Sequence, residues 1–251
     1  MRFQDLRDVL TAGQDLRTWS VLVAVFGDLA PAKGDALSGT ALREILRMIG
    51  IRPEALRVAL HRLRKDDWIE SERIGRQSTH RLSAKGRRET ARATPLIYAT
   101  GPRAERTFLY LSPPGRNGIG FAVAPQLALG CERVVPPDVI ACAPPQMPDW
   151  ITALVCPPDL LDATADLSAR FSELLINLSR RSQALTAVER AALRVLAVQG
   201  WRRVVLKLPA LSDDAFPPDW RGAACREGLA AILSSVPRPD IAEIEADARR
   251  S

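Results

Sequence analysis

Apolar residues recur with a helical period through most of the first 95 positions. "WSVLVAVFGDLA", residues 19–30, is apolar nearly all round and predicts a buried helix, capped by Thr18 and ended by Gly27 and the "PAKGD" turn. Ser38 is placed to cap a second helix, "GTALREILRMIG". There Leu42, Ile45, Leu46 and Ile49 form one stripe and Gly50 is a C-terminal stop. A third helix follows after a very short turn, with Pro53 in its first turn and Leu56, Leu60 and Leu63 on one face. Two short helices joined by a tight glycine-containing connection, the second of them basic, predict a helix-turn-helix.

The period then changes. "WIESERI" and "QSTHRLS" flank Gly75-Arg76 and predict a two-stranded hairpin, a wing, with Arg73, Gly75 and Arg76 at its tip and Arg81 and Lys85 behind. Ser83 caps a fourth helix, "AKGRRETARA", and Thr94-Pro95 closes the unit. With the leucine stripe turned inward, a rotation of about 100° per residue sends Glu54, Val58, His61 and Lys65 outward, with Arg57 and Arg62 on the flanks. The arginines suit bidentate contacts to guanine or phosphate, His61 and Glu54 suit a base edge, and Lys65 suits the backbone. The competing reading of this face is an ordinary solvated helix.

Beyond residue 95 the pattern is less regular. "ERTFLYLS", "DVIACAP" and "WITALVCPP" read as strands and "NGIGFAVAPQLALG" as a short helix, with proline-rich joints. From about residue 161 the chain reads as helical. "ADLSARFSELLINLSRRSQAL" carries Leu167, Phe171, Leu174, Leu175 and Leu178 on one face, and "TAVERAALRVLAVQGWRRVVLKLPAL" and "GAACREGLAAILSSV" carry further stripes. The expectation is a multidomain α+β chain: a winged helix-turn-helix domain at 1–95, a small α+β domain at 96–160 and a C-terminal helical domain at 161–251.

Charge sharpens this division. Residues 1–95 hold 18 Lys and Arg against 12 Asp and Glu, whereas residues 96–251 hold 17 of each, so the whole excess is N-terminal. That is the balance of a polyanion-binding unit joined to a neutral body. The 251 residues, 47% hydrophobic, suffice for real cores and contain no apolar run of membrane-spanning length, so a soluble, cytoplasmic protein is expected. Cys131, Cys142, Cys156 and Cys225 form no C-x-x-C pair and read as buried thiols, and His61 and His80 are the two histidines. No metal or cofactor site is expected.

Three stretches resemble a known family. "VLVAVFGDLAPAKGDALSGTALREIL", "IRPEALRVALHRLRKDDWIESERIGRQSTHRLSAKGRR" and "IYA" are similar to the N-terminal region of the PaaX-like repressors of phenylacetate catabolism. The family's motif residues fall on Phe26, Gly27, Asp28, Arg57, Leu60, Arg62, Leu63, Trp68, Gly75, Arg76, Leu82, Ser83 and Gly86. Asp67 departs from it, standing where a glycine usually precedes the tryptophan, and His80 stands where an aromatic is usual. Pro209, Leu211, Pro218, Asp219, Trp220 and Gly222 match a second stretch. The resemblance implies a ferredoxin-like central domain, similar to that of CRISPR adaptation nucleases, and an aryl- or acyl-coenzyme A thioester whose binding releases DNA.

The function expected is a sequence-specific, non-enzymatic transcriptional repressor of a catabolic operon. Its partner is a double-stranded DNA operator, and it acts as a homodimer because one winged helix buries too little surface for high specificity. For the effector, Trp201, Arg202, Arg203, Lys207 and Trp220 offer aromatic and cationic contacts; they serve equally as core aromatics with a solvated basic patch. Two other classes stay open: a metal-dependent nuclease, for which Glu105, Asp138, Asp149 and Asp159 are scattered singly, and a module that binds partners other than DNA.

Overall fold

A computed structural model describes residues 2–75, 77–103, 106–115, 118–181 and 183–250. It is mixed helix and sheet. The chain opens with α1 (Phe3–Thr11), a helix absent from the sequence expectation, which buries Phe3, Leu6 and Leu10. The next helix, α2 (Thr18–Leu29), has Arg17 at its cap, so Thr18 is its first residue and makes no capping bond. Gly27 lies inside α2; the helix continues to Leu29 because Asp28 and Leu29 are buried with it.

The strand β1 (Leu37–Ser38) leads into α3 (Gly39–Ile49), whose Ser38 cap accepts from the Ala41 amide. Gly50 ends α3 at φ +96°, a left-handed conformation that glycine takes without strain, and its N–H bonds back to Arg47 and Leu46. Pro53 then opens α4 (Pro53–Lys65). The hairpin is β2 (Ile69–Ile74) and β3 (Gln77–Leu82), with β1 added antiparallel to give the order β1-β3-β2. Ser83 caps α5 (Ala84–Ile97), and its hydroxyl also donates to the Asp67 carbonyl at 2.6 Å, tying the hairpin exit to the helix-strand turn. Gly86 is dictated by packing, since a Cβ there would stand 2.2 Å from the Trp68 carbonyl oxygen. Contrary to the expected stop at Thr94-Pro95, α5 runs through Pro95 to Ile97, and buried Ile97 anchors its last turn.

The central region departs more from expectation. Strands β4 (Phe108–Leu111), β5 (Phe121–Ala124), β6 (Leu127–Gly130) and β7 (Ile140–Cys142) form an antiparallel sheet in the order β5-β6-β4-β7. Residues 117–130, read as a helix, are therefore mostly the β5–β6 hairpin. The positive φ angles of Gly118 and Gly120 and the turn at Pro125-Gln126 break any helix, and burial along β5 alternates with the strand period. Conversely, "WITALVCPP" is not a strand but α6 (Asp149–Val155). Pro148 caps it, and Ile151 and Val155, four apart, share its buried face.

The remainder is helical: α7 (Pro158–Ser179), α8 (Ala187–Val205), α9 (Gly222–Ser235) and α10 (Ile241–Ala248), the last again absent from the sequence expectation. The expected single stripe on α8 is wrong, because Ala191 to Gln199 are buried without interruption. The cause is its position, packed on by α1, α2, α3, α5, α7, α9 and α10. The aliphatic cores of the N-terminal and C-terminal segments are thus one continuous cluster.

A buried ionic node fastens them. The Arg194 guanidinium on α8 donates through Nε and Nη2 to the two Asp28 oxygens, both at 2.9 Å, and through Nη1 to the Leu233 and Val236 carbonyls at 3.1 and 2.8 Å. Tyr98 donates to Asp28 at 2.9 Å, and Arg238 donates to the Asp28 carbonyl at 3.1 Å. Burial, then the Asp28 charge, raises the Tyr98 pKa and keeps the phenol a donor. Because the node is satisfied on every side, removing one partner strands a buried charge. Arg194→Met is expected to lower the unfolding free energy in urea by about 3–5 kcal/mol; a loss of no more than the few tenths typical of exposed pairs would show that the node does not fasten the fold.

Candidate nucleic-acid interface

The face of α4 follows from what its other side buries. Leu56, Ala59, Leu60 and Leu63 are buried, and α4 packs against α2, α3 and β2. Fixing those four residues inward turns Glu54, Arg57, Val58, His61, Arg62 and Lys65 outward, and all six are exposed. Val58 is 68% exposed, an apolar side chain in the middle of a polar face about 20 Å long. Arg52 and Arg64, which the sequence reading passed over, are exposed on the same helix or its cap. Their signal was present, since both lie outside the leucine stripe.

Arg62 is held in place. Its guanidinium carbon sits 5.2 Å from the centre of the Trp19 ring, and its Nε lies 3.6 Å from Asp66. A cation over an indole face is attracted by the ring quadrupole, by about 0.5–1 kcal/mol where exposed, so Arg62 has a preferred position before any ligand arrives.

The hairpin supplies a second surface. Arg73 and Gly75 are exposed at the tip, where the Arg73 Nε donates to the Gly75 carbonyl at 3.2 Å; Arg76 lies outside the described residues. Arg81 is engaged on the strand itself, 3.0 Å from Glu70 and 3.4 Å from Glu72, so its charge is largely compensated there. Lys85 donates to the Asp66 carbonyl at 2.8 Å and serves as a clamp on the turn after α4.

His80 is buried at the base of the hairpin, with Nδ1 2.7 Å from the Ser71 hydroxyl. Burial, followed by the nearby Arg64 charge, lowers its pKa below the ordinary 6.5. As the pH falls through 6.5, the unfolded chain therefore takes up a proton on this ring before the folded hairpin does.

The effector candidates do not gather at one place. Trp201 is fully buried inside α8, and Trp220 stacks on Phe216 with centroids 4.4 Å apart while donating to Asp213. Arg202, Arg203 and Lys207 instead line grooves at the C-terminal end of α8, beside the residues that precede and open α2. Of the carboxylates considered for a nuclease, Glu105 lies outside the described residues. Among the described residues no three His, Cys, Asp or Glu side chains gather to hold a metal ion, and no helix is long and apolar enough to cross a membrane.

Comparison with known proteins gives two family matches. A model of the PaaX-like protein family matches residues 17–86, and one of the PaaX-like protein C-terminal domain matches residues 159–239. The Transcriptional repressor PaaX of Escherichia coli (strain K12) is 28% identical over 242 residues, covering 83% of this chain and 77% of that protein.

Two local consequences are measurable. Acidification below pH 6.5 is expected to erode stability, because the depressed His80 pKa contributes only where the ring stays neutral; in His80→Gln the acidic limb of the melting temperature against pH flattens, and an unchanged limb would assign the effect to other groups. Asp67 holds φ +56°, which explains why glycine is usual there. Asp67→Gly should raise stability by about 0.5 kcal/mol, the strain relieved in the fold exceeding the extra freedom of the unfolded chain. A lower denaturation midpoint would reverse that conclusion.

Proposed function

We propose that this chain, which matches models of the PaaX-like protein family over residues 17–86 and 159–239, is a transcriptional regulator rather than an enzyme and represses a catabolic operon by laying α4 in the major groove of an operator. The observation that carries this reading is the pairing of a fully buried aliphatic side of α4 with an outer side on which all six expected contact residues stand exposed. Arg57 and Arg62 would meet guanine or phosphate, His61 and Glu54 a base edge, Val58 a thymine methyl, and Lys65 the backbone. Residues 1–95 act as the winged helix-turn-helix unit, its wing reaching the adjacent backbone or minor groove with Arg73, Gly75 and Arg76; Arg81 contributes once its carboxylate partners yield.

The central unit, 96–160, fits a reduced ferredoxin-like sheet. Its strand order, with β6 between β5 and β4 and β7 on the far side of β4, is that of the split arrangement, while none of the described residues of the connections 112–120 and 131–139 is helical. The helical unit, 161–251, is read as the part that senses an effector and contributes to a homodimer. Exposed Val134, Ile140, Trp150 and Leu154 in the central unit offer further apolar surface for the second copy. For the effector, an aryl- or acyl-coenzyme A thioester, the support is the cationic trio Arg202, Arg203 and Lys207; Trp201 and Trp220 are engaged elsewhere.

Binding to the DNA upstream of its own gene should fall steeply as salt rises. Arg57→Ala should weaken it by about 1–3 kcal/mol if the side chain reads a base, or lower the salt slope by about one if it meets phosphate. Binding that is indifferent to Arg57→Ala, with the variant folded, would remove α4 from the interface.

A further inference from the structure

Arg62 differs from the other cations of α4 in how it is held. Its side chain remains 61% exposed, yet its guanidinium carbon lies 5.2 Å from the centre of the Trp19 ring and its Nε lies 3.6 Å from the Asp66 carboxylate. Arg57, Arg64 and Lys65 stand exposed on the same helix, and among the described residues none of the three is ion-paired with a carboxylate. Trp19 is itself anchored. It sits in the first turn of α2, half-buried and packed against the common core. Because α2 and α4 pack on each other, the place of the ring beside Arg62 is set by the core rather than by the free end of a side chain.

These contacts decide which donors Arg62 can offer. A guanidinium is a planar fork, and attraction to a ring quadrupole engages its charge while leaving its in-plane N–H donors open. The Nε side is turned toward Asp66, so the two terminal nitrogens remain for a ligand. A pair of parallel donors matches the O6 and N7 acceptors of guanine. An arginine that is already held also loses less side-chain freedom when it forms both bonds. We propose that Trp19 is a positioning residue for DNA recognition, holding Arg62 so that its terminal nitrogens read a guanine. A side chain outside the reading helix thereby becomes a determinant of sequence preference, with Asp66 steadying the Nε side. This inference rests on the reading of α4 as the DNA-binding helix, and it names the contact that Arg62 makes there.

The test titrates the full chain with duplexes of the site bound upstream of its own gene, each with one base pair exchanged. Arg62→Ala is expected to cut discrimination at one G·C pair in each half-site by roughly five- to hundredfold. Trp19→Leu should cut it at that same pair by roughly two- to fivefold, leaving preference at the other pairs and the salt slope as in the wild type. Trp19→Phe, which restores a ring face, recovers most of the loss. In Trp19→Leu/Arg62→Ala the two losses do not add, because the ring acts only through the guanidinium. Trp19→Met, apolar bulk without a ring, takes the place of Trp19→Leu if that variant does not fold. The proposal is overturned if the ringless variant weakens all duplexes alike or keeps full discrimination at that pair. It is equally overturned if Trp19→Phe does no better, or if the losses add in the double variant. An Arg62→Ala that changes only the salt slope assigns Arg62 to phosphate, and the proposal falls while α4 keeps its place. If neither Arg57→Ala nor Arg62→Ala alters binding, the reading of α4 falls, and the role of Trp19 with it.

Discussion

The Asp28–Arg194 pair is the constraint on which the arrangement depends. Asp28 sits near the C-terminal end of α2, and Arg194 sits in the middle of α8, 166 residues away. Both are buried, and a buried pair of this kind is tolerable only when its remaining donors and acceptors are satisfied. Tyr98, Arg238 and the carbonyls of Leu233 and Val236 supply those partners, drawing four separate segments to one point. Apolar packing alone would let α2 slide along α8, whereas a bidentate guanidinium–carboxylate contact fixes the register. The node thereby joins α2, against which α4 packs, to the helical body.

A second polar tie repeats the logic between β1 and α10. Glu245 on α10 accepts from both the amide and the hydroxyl of Ser38, each at 2.7 Å, while the same hydroxyl caps α3. The N-terminus of α3 is therefore braced by α10. On the opposite side, Ser83 braces the turn after α4. What these contacts leave unbraced is the outer face of α4, and a rigid frame with one polar, cation-rich face free is what groove reading requires.

Local chemistry made much of this legible from sequence. The leucine stripe of α4, the Ser38 and Ser83 caps, the Gly50 stop and the β2–β3 hairpin each follow from side chains a few positions apart, and each appears where the pattern placed it. The misreadings arose where burial is set by distant segments. α8 was read as carrying one stripe, but its apolar residues lie all round the helix and it is surrounded, so its polar Arg194 and Gln199 face inward to partners no local pattern announces. In the central region short apolar runs fit helix and strand alike, and the left-handed glycines 118 and 120 decided the matter against a helix. The family resemblance pointed to Asp28 without a reason; Arg194 supplies it. The groove beside α8 was half visible, since Arg202, Arg203 and Lys207 lie close together in sequence, but Arg17 and Trp19 join them only through the α2–α8 packing.

The central claim is that side chains on the outer face of α4 choose the bases. Its most direct test is selection of preferred duplexes from a randomised pool by the wild type and by His61→Ala, an exposed residue whose removal leaves the packing of α4 intact. The account predicts that the variant relaxes preference at one base position in each half-site and retains the others. Identical selected sequences from the two proteins, or enrichment of no sequence by the wild type, would contradict it.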